Sequence, residues 1–316
     1  MYNKKNIFLI GILLLVVAIS FFYLNRNQPQ PENTTEIEKV LVDTSEENTE
    51  NKQISELYDK CINEFTANQY QRVLCLFPYF KLLAKEEGVL VAIERAKELK
   101  ATGEINDCHL PSHMIGEVNL EISNYDLGKA FSNCPLGCFE GCFHGAFEAY
   151  SDHVGGIENL VTAGDLPEIC KTVGTDRKLK LQCVHGIGHA LMRHHKTSEL
   201  LGKIDICKRI TDIDYQTGCV DGVFMENVNN YLELSESKLR ESLPKICEPI
   251  EKSDKYKDLL WLCAQEISGG LIAYTGDNLV LAESICQSLS GELEDRCIAG
   301  LTESRKTFSD TPHDAN

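Results

Sequence analysis

From residue 51 onward, cysteine returns at the period of a helical hairpin. One series runs Cys75, Cys108, Cys142, Cys183, Cys219, Cys263 and Cys297, in steps of 33 to 44 residues. A second is interleaved with it: Cys61, then Cys134, Cys170, Cys207, Cys247 and Cys286. The neighbours repeat as well. EIC, DIC, KIC and SIC end in cysteines of the second series, while QCVHG, GCVDG and RCIAG surround cysteines of the first. Repeats of this length mark stacked two-helix units, none of which can bury its apolar face alone.

Each unit reads as a short helix A, a turn and a longer helix B. SELLGKIDICKRI, for instance, is followed by the turn TDID and then by YQTGCVDGVFMENVNNYL. Cys207 and Cys219 stand at comparable distances from that turn, so two antiparallel helices set them side by side. The same reasoning pairs Cys61 with Cys75, Cys170 with Cys183, Cys247 with Cys263 and Cys286 with Cys297. Closing a loop of this size contributes roughly 3 kcal/mol on a chain-entropy view. Cys108, Cys134, Cys138 and Cys142 remain. Pairing Cys134 with Cys142 inside one unit and Cys108 with Cys138 between units uses them all. The alternative for Cys134, Cys138 and Cys142 is a thiolate metal site.

The cysteine count also bears on compartment. Fourteen in 316 residues suggest metal thiolates in a reducing cytosol, or disulfides outside it. The start of the chain favours the second. IFLIGILLLVVAISFFYL, residues 7–24, carries no charge, and a helix of that length spans about 27 Å, enough for the hydrocarbon core. Lys4 and Lys5 precede it against the single Arg26 just after it, which puts the N-terminus inside. No small-residue cleavage site follows, so residues 1–25 are expected to be an uncleaved transmembrane signal anchor. The protein would then be single-pass in the cell membrane, with its C-terminal domain outside the cytoplasm. Residues 26–50 are polar, acidic and proline-bearing and read as a disordered linker. Residues 51–308 hold the repeats and 309–316 a flexible tail. The net charge of −17 argues against nucleic acid as a partner.

Period and cysteine placement over residues 51–308 resemble the Sel1-like and tetratricopeptide superfamily, especially secreted members with a disulfide inside each hairpin. The resemblance implies an all-α fold, a right-handed solenoid of about seven helical hairpins.

Histidine falls into the same frame. In LQCVHGIGHALMRHH, residues 181–195, His185 and His189 follow Cys183 by two and six positions. That is about 200° and 240° around a helix, facing away from helix A. HGIGH has the outline of an HExxH zinc helix, with Gly186 where the glutamate would stand. One unit earlier the same places hold His144 and Glu148; one unit later they hold Asp221 and Met225. Earlier still, His109 and His113 are four apart but one position early relative to Cys108, a rotation of about 100°. Three successive B helices thus carry an i, i+4 ligand pair, and such residues share a face and can chelate one ion. Adjacent helices pack about 8–10 Å apart. His109, His113, His144, Glu148, His185 and His189 are therefore expected to line one metal-binding groove. Imidazoles with a carboxylate suit Zn, Fe or Cu. Glu148 is the candidate catalytic base where it is not a ligand. No carboxylate stands out as a support behind the imidazoles. His153, His194, His195 and His313 are expected to be surface or packing residues.

Gly145, Gly186, Gly222 and Gly300 each follow a helix-B cysteine by three positions. They are expected near the disulfide face, where a missing side chain lets helices approach. Gly186 is then a packing residue rather than a lost general base, while Gly188 has no place in that column. The chain contains no CxxCH, GxxxxGK[ST], GxGxxG or GxSxG, which argues against covalent haem, P-loop, dinucleotide and serine-hydrolase chemistry. Two functions remain. One is a membrane-tethered metal protein, hydrolytic or redox, built on the histidine groove. The other is a non-catalytic scaffold whose concave surface holds an envelope protein or peptide.

Overall fold

The computed structural model describes residues 44–65, 69–158 and 160–309. The expected anchor, most of the expected linker and His313 lie outside them. Among the described residues no helix is long and apolar enough to cross a membrane. The described chain is all-helical, with one isolated bridge between Gly164 and Ile210.

Helix α1 (Thr44–Glu64) begins inside the stretch expected to be linker, and α2 (Gln69–Cys75), α3 (Phe77–Glu86) and α4 (Val89–Ala101) follow. Long and short helices then alternate: α5 (His109–Ile122), α6 (Leu127–Asn133), α7 (Gly141–Val154), α8 (Glu168–Lys171) and α9 (Arg177–Met192). Next come α10 (Leu200–Cys207), α11 (Ile213–Leu232), α12 (Glu236–Ile246) and α13 (Glu248–Glu251). The chain closes with α14 (Leu260–Thr275), α15 (Leu279–Cys286) and α16 (Glu292–Ser309). Local chemistry marks the starts. Asp126, Asp176, Asp212 and Asn278 cap α6, α9, α11 and α15, each side chain accepting a backbone N–H of the first turn. A cap of this kind stabilises its helix by about 1 kcal/mol.

Each long helix packs on the next: α5 on α7, α7 on α9, α9 on α11, α11 on α14 and α14 on α16. Phe143, Phe147 and Phe224 are fully buried along that row, each contributing roughly 1.5–3 kcal/mol of apolar transfer energy. Bridges fasten the short helices to it. Cys61–Cys75, Cys170–Cys183, Cys207–Cys219, Cys247–Cys263 and Cys286–Cys297 pair within hairpins. Cys134–Cys142 and Cys108–Cys138 complete the set, so CPLGCFEGC has no thiolate left to hold a metal.

Glycines set how closely the row packs. A Cβ at Gly145 would fall on the carbonyl of His113, and one at Gly116 on the carbonyl of Cys142. The crossing of α9 with α11 has the same reciprocal form: Gly222 against the His185 carbonyl, Gly188 against that of Cys219. Gly186 lies against Phe147 and Gly300 against Ser268. The column therefore faces the preceding long helix rather than the disulfide partner. A position about 300° from the cysteine is turned about 60° off the bridge, onto the flank where the neighbouring long helix lies. Gly188 finds its reason in the same contact.

Gly222→Ala is expected to lower stability by at least about 1–3 kcal/mol, the ordinary cost of overpacking. A methyl group added at Gly202 in α10 would meet nothing within 4 Å, and Gly202→Ala should be neutral or stabilising by roughly 0.5–1 kcal/mol. Denaturant titration of both variants checks the contrast.

Candidate metal centre

The three i, i+4 pairs converge. His109 and His113 project from α5, His144 and Glu148 from α7, His185 and His189 from α9. Ring centroids of His144 lie 5.3 Å from His109, 5.4 Å from His113, 4.6 Å from His185 and 4.9 Å from His189. Three triads have ligand atoms within 4.8 Å of one another: His109/His113/His144, His144/His185/His189 and Glu148/His189/Glu226. All six residues expected from the sequence therefore meet in one place.

The early register of His109 and His113 does not separate them from the rest. Cys108 is the N-cap of α5 rather than a residue within it, so helical rotation from Cys108 does not apply. Its bridge runs to Cys138, where Cys138, Phe139 and Glu140 take left-handed backbone angles in succession (φ 48°, 51° and 59°). Such a conformation costs roughly 1–2 kcal/mol per residue. It brings the Cys138 carbonyl to 3.1 Å from His109 Nδ1.

That contact begins a pattern of nitrogens assigned by their neighbours. A carbonyl only accepts, so His109 Nδ1 carries the proton and Nε2 is left as a lone pair. The other three imidazoles of the two pairs have a carboxylate beside Nδ1. Glu148 Oε1 lies 3.0 Å from His113 Nδ1, Asp221 Oδ2 3.4 Å from His185 Nδ1, and Glu226 Oε2 3.1 Å from His189 Nδ1. An acceptor at Nδ1 orients the ring and leaves Nε2 free for a metal. The freed atoms then face each other: His109 and His113 Nε2 are 3.0 Å apart, His185 and His189 Nε2 3.1 Å. Two imidazoles on one tetrahedral zinc, at 2.0–2.1 Å each, stand about 3.3 Å apart. Each pair is close to that spacing.

His144 is 2% exposed. Its Nε2 is 3.0 Å from Gln182 Oε1, and its Nδ1 has no hydrogen-bond partner. Glu148 Oε1 is the other such atom. It approaches His113 Nδ1 as given above and His189 Nδ1 at 3.6 Å, yet neither approach has hydrogen-bond alignment. Its second oxygen accepts from Arg193, which also donates to Glu117 at 3.0 Å. Buried polar atoms without partners are rare and call for a reason. Glu226, Asp221, Arg193, Glu117 and Gln182 were not expected from the sequence. Glu226 follows Met225, the position matched to His189 and Glu148, by one residue; Asp221 was matched to His185 but not read as a support.

Beside the imidazoles is a cavity of about 370 Å³. His109, His144, His185, Gln182, Asp221 and Glu266 are on its wall, which runs from Val73 near the start of the domain to Ser304 near its end. Glu148 is not on that wall. Glu266 is buried and hydrogen-bonded to Asp221, and burial pushes its carboxyl well above the usual range. Burial also pushes Glu148 well up, Glu226 adding to the effect. The remaining histidines stand apart: His153 stacks on Tyr125, His194 faces Asp152 from an exposed position, and His195 bonds Glu199. Compared with known proteins, the chain matches no described family, no curated relative and no solved structure.

Burial holds His109 and His113 down at about 4. His144 and His189 are held well below the ordinary range by burial, with the neighbouring His185 adding to it. The unfolded chain, with histidines near 6.5, binds protons the folded chain refuses. These four imidazoles therefore contribute stability that is present above about pH 6.5 and lost as pH falls toward 4 and below. Glu148, Glu226 and Glu266, raised by burial, act in the opposite sense, with stability present at low pH and lost as pH rises through their folded values. Glu266→Gln, which removes one opposing carboxyl, should make the fall in melting temperature of the metal-free protein between pH 7 and pH 5 steeper than in the wild type.

Proposed function

We propose that this protein is a membrane-tethered, extracytoplasmic metalloprotein whose histidine cluster binds a first-row transition metal (Zn, Fe or Cu) and acts on a small molecule in the adjoining cavity. The single observation carrying this is the pair of facing Nε2 contacts, each close to the spacing of two imidazoles on one zinc. Two ring nitrogens 3.0 or 3.1 Å apart need a proton or a cation between them, and a cation is the reading that also gives His144 Nδ1 a partner. Burial keeps His109, His113 and His189 neutral, the form a metal requires.

The bound ion would supply Lewis-acid activation of a water or, as Fe or Cu, electron transfer. The chain's own residues then divide the work. His109, His144 and His185 are both cluster members and cavity wall, so a ligand in the cavity meets the metal-binding face. Asp221 and Glu266 are the carboxyls at that wall, and they, rather than Glu148, are placed to move a proton to or from a bound molecule. Glu148 is tied to Arg193 and lies beside His113 Nδ1, off the cavity wall. A volume of about 370 Å³ suits a small molecule better than a folded partner, which favours an enzyme over a scaffold for an envelope protein or peptide. The helix row is read as a right-handed solenoid, similar to Sel1-like and tetratricopeptide arrays, with residues 7–24 as its anchor. Seven bridges support placement in an oxidising compartment.

Full-length protein purified without a His tag is expected to carry stoichiometric Zn, Fe or Cu by elemental analysis. His185→Ala combined with His189→Ala should lose metal while keeping its disulfides. Wild-type protein that stays metal-free after incubation with Zn(II) and Cu(II) would refute the proposal.

A further inference from the structure

We infer that the cluster is a two-ion centre: one ion on Nε2 of His109 and His113, a second on Nε2 of His185 and His189, and His144 between them as the shared ligand. This rests on the metal-binding function proposed above and specifies its nuclearity.

The first support is that each pair is complete in itself. At Nδ1, His109 has the Cys138 carbonyl at 3.1 Å and His113 has the Glu148 carboxyl beside it at 3.0 Å. His185 and His189 have Asp221 and Glu226 in the same place. An ion on one pair leaves the Nε2 atoms of the other pair still facing each other, at 3.0 or 3.1 Å.

The second is repetition. The crossing of α5 with α7 and that of α9 with α11 are built alike. In both, the first helix carries two histidines four residues apart, and reciprocal glycines bring the backbones together. In both, the second helix carries a glutamate to the later histidine of the pair, Glu148 to His113 and Glu226 to His189. The fold has made the same half-site twice.

The third is His144. It belongs to both nitrogen triads, it is buried, and its Nδ1 has no partner. One imidazole can offer Nδ1 to one ion and, as imidazolate, Nε2 to another; Gln182 now stands at Nε2. Charge points the same way. Among the described residues no Lys or Arg is ion-paired with Glu226 or Asp221, whose partners among the ion pairs are His189 and His185. Half-buried carboxylates beside imidazoles and without a Lys or Arg ion-pair partner favour multivalent cations.

The test is Cu(II) loading of the metal-free full chain, with stoichiometry from elemental analysis and coupling from EPR. Two copper ions per chain and a spin-coupled spectrum with a half-field line are expected. His109→Ala plus His113→Ala should remove one ion and leave an uncoupled spectrum; His185→Ala plus His189→Ala should do the same at the other half. His144→Ala should weaken binding at least tenfold and abolish coupling. A single ion lost with either double variant would overturn the two-ion inference and leave the metalloprotein proposal intact. No bound ion would overturn both. Two uncoupled ions insensitive to these substitutions would be surface copper only, and would also overturn it. Should a variant fail to fold by circular dichroism, the wild-type stoichiometry and half-field line decide alone.

Discussion

Two contacts of backbone on backbone determine where this protein's chemistry can be. Where Gly145 meets the His113 carbonyl and Gly222 meets that of His185, neighbouring backbones come so close that a Cβ would strike the facing carbonyl. A histidine on one helix then reaches the carboxylate of the next without a long side chain between. The glycines directly follow His144 and Asp221 in sequence. The residue that permits approach and the residue that uses it are thus adjacent, and neither can drift relative to the other. Disulfides hold the short helices outside this row, which frees its inner side from packing against them.

The centre buries far more ionisable groups than an ordinary core. Burial of charge is expensive, and a buried pair stabilises a fold only weakly when its partners are well placed. Here His109, His113, His144 and His189 avoid the cost by remaining neutral, and Arg193 offsets part of the carboxylate charge through Glu148 and Glu117. What remains is a set of lone pairs aimed inward, with two polar atoms lacking partners. A core selected for stability alone would have filled this volume with leucine. The arrangement is explained by what it can hold.

Much of this was legible in the cysteines. Their two series located the hairpins, and counting from each turn gave the five bridges inside hairpins. Pairing off the four cysteines left over gave Cys134–Cys142 and Cys108–Cys138, against a thiolate metal site as the alternative. Because the bridges fix which helix faces which, the same counting found the clustered histidines and Glu148. The supporting shell was not legible. Glu226 is one residue past the matched column, and a helix of 3.6 residues per turn lets either neighbour reach inward depending on side-chain length. Arg193 follows the last residue of α9, where no periodicity applies. The glycine column was recognised as packing but assigned to the wrong neighbour, since sequence shows where a side chain is missing and not what moves into the gap. Helix α1 starts in a stretch whose polarity suggested a tether, as TSEENTENKQ has helix-compatible residues but little to bury.

The left-handed turn at Cys138–Glu140 has one more consequence. Cys138 supplies both a sulfur to Cys108 and a carbonyl to His109, so a covalent bond and a tautomer depend on the same three strained residues. Without the bridge, that turn has little reason to keep its costly angles, and the nitrogen it polarises loses its orientation. If the cluster holds metal as proposed, oxidation of Cys108 and Cys138 would come before assembly of the part built on His109, and sulfur chemistry would set the order of a later inorganic step.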